Sequence, residues 1–378
     1  MPMSERCILV VARWPLGGIR TYMRYMFSHF PPNYRLTLLA ASTQEDAALI
    51  QDAEKYNAQL KIVRSSGISY LIAILKELHT NRYDVILSQG FVSAVAASLA
   101  NLFNGIPHIL TIHGIVEPKY VGGRFGALKR WLLGRVLGGI TVLYGVSNDI
   151  LEHVYHEFPQ LRHNGPQPLV ILNGIDPSEC DAPSEPPLAV RRQLGIDASV
   201  FLFGYFGRFM PEKGFDLLIE AVDQIRSATP DRPIAVVAVG SGDYLREYQA
   251  LIHKKRLESY FYFVPFQPAV HQLYPQVDAV VIPSRCEACP LLPMEVLCMG
   301  TPLITSDCIG LREVIAGTPA LVFRSEDLAP LVERMQDCLM DDKKTTFATY
   351  AGEARKRFDV AGSAEKLVQF IGNTAVRG

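Results

Sequence analysis

Among these 378 residues there is no Asp-x-Asp pair, no apolar run long enough to cross a bilayer and no excess of either charge. Each absence excludes something. A spanning helix needs about 20 consecutive apolar residues, so no transmembrane segment is expected. With 37 Lys and Arg against 38 Asp and Glu, the net charge of −1 gives no global steering toward nucleic acid. The seven cysteines are odd in number and scattered, which argues against a disulfide framework and for reduced thiols in a cytosolic setting. Only Cys286 and Cys289 have metal-knuckle spacing, and a zinc ribbon needs two such knuckles. A place near a helix start would lower the pKa of these thiols, but small buried packing is the favoured reading. His153 and His156 share a helix but have no apparent acidic or cysteine partner, so no metal site is expected. No signal peptide precedes the first strand, since Met1-Pro2-Met3-Ser4-Glu5-Arg6 leads straight into it.

What is present is a strand–helix alternation. Half of the residues are apolar, and the length suits two domains that each bury a core. Strands are predicted at 7–12, 35–41, 59–64, 84–89, 108–112, 139–146 and 169–172. In the second half they fall at 201–206, 234–239, 261–265, 278–282, 303–305 and 321–323. Helical stretches separate them, the pattern of doubly wound parallel sheets. Residues 177–199 break the alternation with Pro177, Pro183, Pro186 and Pro187 and read as a linker between domains 1–176 and 200–361.

Ligands of open parallel sheets bind beyond the carboxyl ends of the strands, and the polar motifs fall there. After the 278–282 strand come Glu287 and, with seven residues between, Glu295, flanking a predicted helix start at Pro290-Leu291-Leu292. A helix start offers unpaired N–H groups to an anion such as a diphosphate, with one carboxylate on either side for hydroxyls. Acid placed there for the helix dipole is the plainer reading. Arg208 and Lys213 bracket the turn after the 201–206 strand, before a helix opening within 209–222. Arg and Lys there suit a phosphate-bearing leaving group, or a solvated surface. Gly17-Gly18 after the first strand makes a close backbone approach or a tight turn; with Arg at position 20 it is no dinucleotide fingerprint. His113 ends another strand, either facing a ligand or capping the strand.

Gly207-Arg208…Glu212-Lys213-Gly214, Glu287…Glu295 and Gly300-Thr301-Pro302 together resemble the retaining, nucleotide-sugar-dependent glycosyltransferases of family four. Gly17-Gly18, His113-Gly114, Val146-Ser147, Asn173-Gly174-Ile175-Asp176 and Val239-Gly240-Ser241-Gly242 extend the resemblance over nearly the whole chain. It implies a GT-B fold, two Rossmann-like domains facing across a cleft, with the final helix, about 362–378, crossing back to the first. It implies a nucleoside-diphosphate sugar as donor. Glu287 would hold the sugar hydroxyls, Glu295 the ribose, and His113 the donor sugar or its neighbouring backbone. Gly17 and Gly18 would face the diphosphate and acceptor. Arg208, Lys213 and the helix start at Pro290, Leu291 and Leu292 would replace a metal, since no Asp-x-Asp is available. Family members usually have glycine where Pro290 stands; a proline at the first helical position removes one donor to phosphate. Val264, Pro265 and Phe266 would offer backbone groups to the base, although alternating aromatics also suit a buried strand.

No cofactor or divalent metal is expected, and no nucleic-acid partner. The acceptor would be a saccharide or lipid-linked hydroxyl. Between Pro118 and Asn148 there is no acidic residue, while Lys119, Arg124, Lys129, Arg130 and Arg135 accompany Phe125, Leu128 and Trp131. That stretch reads as an anionic-membrane contact, a solvated helix face or an acceptor site, and with it a cytoplasmic protein, peripheral on the membrane. Two rivals stand beside the transferase: a nucleotide-sugar isomerase on the same scaffold, and a non-catalytic sugar-nucleotide-binding protein.

Overall fold

The computed structural model describes residues 5–64, 66–181, 190–228, 232–267 and 270–374. They fall into two compact units, Met1–Gly174 with Val360–Gly378, and Ile175–Asp359.

The first unit is a seven-stranded parallel sheet in the order β3-β2-β1-β4-β5-β6-β7. Its strands are β1 (Arg6–Ala12), β2 (Tyr34–Ala41), β3 (Gln59–Val63), β4 (Val85–Gln89), β5 (His108–Ile112), β6 (Val142–Gly145) and β7 (Gln167–Val170). Its helices are α1 (Gly17–Ser28), α2 (Asp46–Lys55), α3 (Gly67–Thr80), α4 (Phe91–Ala100), α5 (Pro118–Val121), α6 (Gly126–Gly138), α7 (Asn148–Glu157) and α8 (Leu161–Asn164). Central strands read as unbroken apolar runs because helices cover both faces; Ile8, Leu9, Val10 and Val11 of β1 are all buried. The predicted 139–146 strand shortens because α6 runs on to Gly138 and Gly139 caps it.

The second unit is a six-stranded parallel sheet in the order β10-β9-β8-β11-β12-β13. Its strands are β8 (Phe201–Phe206), β9 (Ile234–Val239), β10 (Phe261–Val264), β11 (Ala279–Ile282), β12 (Leu303–Ser306) and β13 (Leu321–Phe323). Its helices are α9 (Val190–Leu194), α10 (Phe215–Ala228), α11 (Leu245–Lys254), α12 (Leu292–Cys298), α13 (Leu311–Ile315), α14 (Leu328–Met340) and α15 (Lys344–Arg357). The segment read as a linker carries a 3-10 turn at Pro177–Cys180 and α9. Both belong to this unit: the Val190 N–H donates to Gln276 Oε1 at 2.7 Å, and Arg191 pairs with Asp278. Pro183, Pro186 and Pro187 lie outside the described residues.

After α15 the chain rejoins the first unit as α16 (Val360–Thr374). Val360, Ala364, Leu367 and Ile371 are buried at helical spacing. Ser363 Oγ donates to the Leu172 carbonyl at 2.8 Å, and the Tyr34 hydroxyl donates to the Val368 carbonyl at 3.2 Å. The last four residues of the predicted helix, 375–378, lie outside the described residues.

Each strand order reverses once, between β1 and β4 in the first unit and between β8 and β11 in the second. At such a point neighbouring crossovers leave in opposite directions, and a crevice opens beyond the carboxyl ends.

Candidate functional site

The second unit's crevice is built from the loops after β8 and β11. After β8, Pro211 interrupts the helix expected to open within 209–222, because it has no N–H to give. The chain instead makes a 3-10 turn, Pro211–Lys213, and then Gly214 in the left-handed region (φ +66°), before α10 begins at Phe215. A Cβ on Gly214 would sit 1.9 Å from the Pro283 carbonyl oxygen, so only glycine lets the two loops close on each other.

Several bonds join the loops. The Arg285 N–H donates to the Glu212 carbonyl at 2.8 Å. The Arg285 guanidinium grips both Asp216 oxygens at 2.9 and 2.6 Å and reaches the Pro211 carbonyl. On the other side, the Glu287 N–H donates to the Ile309 carbonyl at 3.1 Å. Gly310 (φ +76°) admits this approach, since its Cβ would lie 2.4 Å from the Glu287 carbonyl oxygen.

Within this frame Lys213 Nζ lies 2.7 and 2.8 Å from the two Glu287 oxygens. Ser284 Oγ also donates to Glu287 Oε1, at 2.7 Å. The Glu287 side chain is 11% exposed and that of Lys213 28%. Burial alone would lower the Lys213 pKa, but the Glu287 carboxylate more than offsets it and holds the ammonium above its ordinary value. Lys213 is therefore charged at any physiological pH, with one N–H left to offer. Oε2 of Glu287 has lone pairs to spare for a hydroxyl.

Arg208 follows β8 at the same sheet edge, exposed, with no side-chain partner among the described residues. Glu295 lies one turn into α12, where Tyr274 donates its hydroxyl to Oε2 at 2.8 Å. The helix start is displaced from the sequence reading. Leu291 is the N-cap, Leu292 the first helical residue and Pro293 stands at the second, so Pro290 precedes the helix. The missing N–H in the first turn is thus that of Pro293, and no side chain caps the helix. The Cys286 thiol is pushed up to about 11, first by burial and then by Glu287, which goes with the packing reading and against a thiol of lowered pKa. Val264, Pro265 and Phe266 sit at the exit of β10, the sheet edge two strands from β8. The Val264 carbonyl accepts from the Gly240 N–H at 3.1 Å, and Phe266 is largely exposed.

The first unit holds Gly17, Gly18 and His113. Gly17 opens α1 at φ +50°, and a Cβ on either glycine would meet open space. The Gly17 N–H donates to Glu45 Oε2 at 3.3 Å. His113, just past β5, is half-buried; its Nε2 lies 2.7 Å from Gln89 Oε1 and its ring meets the edge of Tyr22 at 4.7 Å. Burial lowers its pKa to about 3, so the imidazole is neutral at pH 7. With Nε2–H donating to Gln89, Nδ1 keeps its lone pair.

Sequence reasoning missed Arg285, Ser284, Tyr274 and Gln89. Arg285 lies between the 278–282 strand and Glu287, but its partner Asp216 lies 69 residues away and no local pattern announces that pairing.

Two family models match the chain in succession: Glycosyltransferase Family 4 over residues 16–179 and Glycosyl transferases group 1 over residues 189–357. Among curated relatives, the D-inositol 3-phosphate glycosyltransferase of Gordonia bronchialis is 31% identical over 62% of this chain and 53% of its own. That of Frankia alni is 30% identical over 68% and 66%. The lipopolysaccharide core biosynthesis mannosyltransferase LpsB of Rhizobium meliloti is 27% identical over 52% and 58%. The matches span from 53% to 66% of these relatives' lengths. Among solved structures, Anabaena Alr3699/HepE in complex with UDP-glucose superposes with TM-score 0.80 at 20% identity, over 98% of this chain and 100% of that one. The sucrose-phosphate synthase of Thermosynechococcus elongatus gives 0.77 at 17%, over 99% and 100%. With both halves matched in order and the whole-chain fold shared with these structures, the chain belongs to the GT-B glycosyltransferases of family 4.

Proposed function

We propose that this protein is a retaining glycosyltransferase. It moves a sugar from a nucleoside-diphosphate sugar to a hydroxyl of a saccharide or lipid-linked acceptor, without a divalent metal, in the building of cell-surface glycans. The observation that carries the reading is the Lys213–Glu287 pair at the second sheet's switch point, with unpartnered Arg208 on the same edge. The lipopolysaccharide-core relative supports the cell-surface role. A neighbour solved with UDP-glucose makes a UDP-sugar the first donor to try.

On this reading the bond between the anomeric carbon and the diphosphate breaks while a bond to the acceptor oxygen forms on the same face. The acceptor's proton passes to the departing phosphate oxygen, and no covalent enzyme intermediate arises. Arg208, bidentate, and the free N–H of Lys213 neutralise the leaving group, the largest electrostatic demand of the step. Glu287 and Glu295 orient sugar and ribose. His113, uncharged, contacts the donor sugar without adding a competing cation. The protein works peripherally at the cytoplasmic face of a membrane, where the exposed basic segment from Lys119 to Arg135 supports contact with anionic lipid.

The test is nucleoside-diphosphate release from a panel of UDP-, GDP- and ADP-sugars, followed by analysis of the glycosylated product. Release that requires acceptor and survives EDTA agrees with the proposal. Conversion of the donor without release would indicate the isomerase; binding without turnover, the non-catalytic protein. Lys213→Ala and Arg208→Ala should each lower kcat on the order of 100-fold, and near-normal turnover by both would reject their role.

A further inference from the structure

The right-handed crossovers that reverse direction at β4 put α3, α4 and α6 on one face of the first sheet. They lie side by side, α3 against α4 and α4 against α6. Their outer surface is apolar. On α3, Ile68, Ile72 and Leu75 recur at helical spacing with exposures of 76, 57 and 44%. Leu99, Leu102 and Phe103 follow at the end of α4, with Phe103 98% exposed. On α6, Leu128, Trp131 and Leu132 are at least half exposed.

Residues 127–132 of α6 are all exposed. A helix lying flat on a sheet buries a residue every third or fourth position, so this half of α6 stands clear of the core. Three adjacent helices thus leave large apolar side chains in water, where scattered single ones would call for no explanation.

The charges around the face that lack an ion-pair partner among the described residues are basic. From 85 to 116 the chain has no Lys, Arg, Asp or Glu, and from 118 to 148 it has no acid. Arg124, Lys129, Arg135 and Lys76 have no acidic partner among the described residues, while Lys119 and Arg130 are paired with Glu117 and Glu157. We infer that the α3–α4–α6 face docks on a bilayer of anionic lipid. Phe103, Leu128 and Trp131 enter the acyl boundary and the cations without an acidic partner meet the headgroups. A second copy fits worse: a two-fold contact sets the same patch against itself and brings cation against cation. This deepens the peripheral placement proposed above and rests on it; it is tested with no donor present, so its failure would leave the sugar transfer itself to be judged by nucleoside-diphosphate release.

The chain has two tryptophans, so Trp14→Phe leaves Trp131 as sole reporter. The full-length protein should co-sediment at low salt with phosphatidylcholine vesicles containing phosphatidylglycerol, and brominated lipid should quench Trp131. The pair Phe103→Ser/Leu128→Ser, at sites too exposed to disturb folding, should weaken partition by at least about tenfold. The pair Arg124→Gln/Lys129→Gln should do so by roughly tenfold or more, on anionic vesicles only. No binding to anionic vesicles at low salt, or partition unchanged in the serine pair, would overturn the proposal. So would a solution dimer that the serine pair dissociates.

Discussion

Lys213 and Glu287 solve each other's problem: either charge alone would be costly at that depth, and together they are held at hydrogen-bond distance. Because the Lys213 pKa is raised on folding, the stabilisation it gives is complete below the unfolded lysine value. It disappears as pH climbs through the higher folded value, so wild type should lose melting temperature at strongly alkaline pH and Lys213→Met should lose less. The histidines act at the other end of the scale. Burial lowers His108 to about 4 and His113 to about 3, so below pH 6.5 the unfolded chain binds protons that the folded one refuses. Stability should fall by about 1.4 kcal/mol per pH unit for each imidazole between the two values. Thermal melts of wild type at pH 7 and pH 5 should differ more than those of His113→Gln.

At the scale of elements, the candidate site is shaped by how two loops after neighbouring strands are clamped. Gly214→Ala must displace the Pro283 carbonyl and adopt a left-handed backbone, and should cost at least about 2 kcal/mol in denaturant melts. Gly352, in the middle of α15 with nothing near its Cβ, is the control: Gly352→Ala should stabilise by roughly 0.5–1 kcal/mol. Arg285→Ala should lower kcat with the fold retained, since it frees the turn that carries Lys213; Arg285→Lys should recover only part, lacking the fork that holds both Asp216 oxygens.

These elements were largely legible beforehand. Every strand of both sheets overlaps an apolar run of the sequence, and the central ones, buried along their length, carry few polar positions to blur it. Helix starts were less legible. The 209–222 reading missed the Pro211 turn, and the α12 start was placed at Pro290 when Pro293 is the proline inside the first turn. Caps depend on hydrogen bonds to distant loops, which periodicity does not report. The same holds for the candidate site: Lys213 and Glu287 were both named, but their direct pairing, 74 residues apart, follows only from the adjacency of β8 and β11.

Across the whole molecule the chain builds most of one unit, completes a second and returns to the first with α16. That helix buries Ala364, Leu367 and Ile371 in the first unit, so a chain ending at Asp359 should show a lowered melting transition and earlier proteolysis within residues 1–174, with the second unit protected. Equal protease resistance in both halves would count against this. The arrangement also sets an order of events during synthesis. Because the Ile175–Asp359 stretch must be made in between, on the order of ten seconds or more at ribosomal speed, the amino-terminal sheet waits without its closing helix while the whole second unit is synthesised. An interrupted message therefore leaves a protein whose earliest-made half is the one left unfinished, a target for chaperones and proteases.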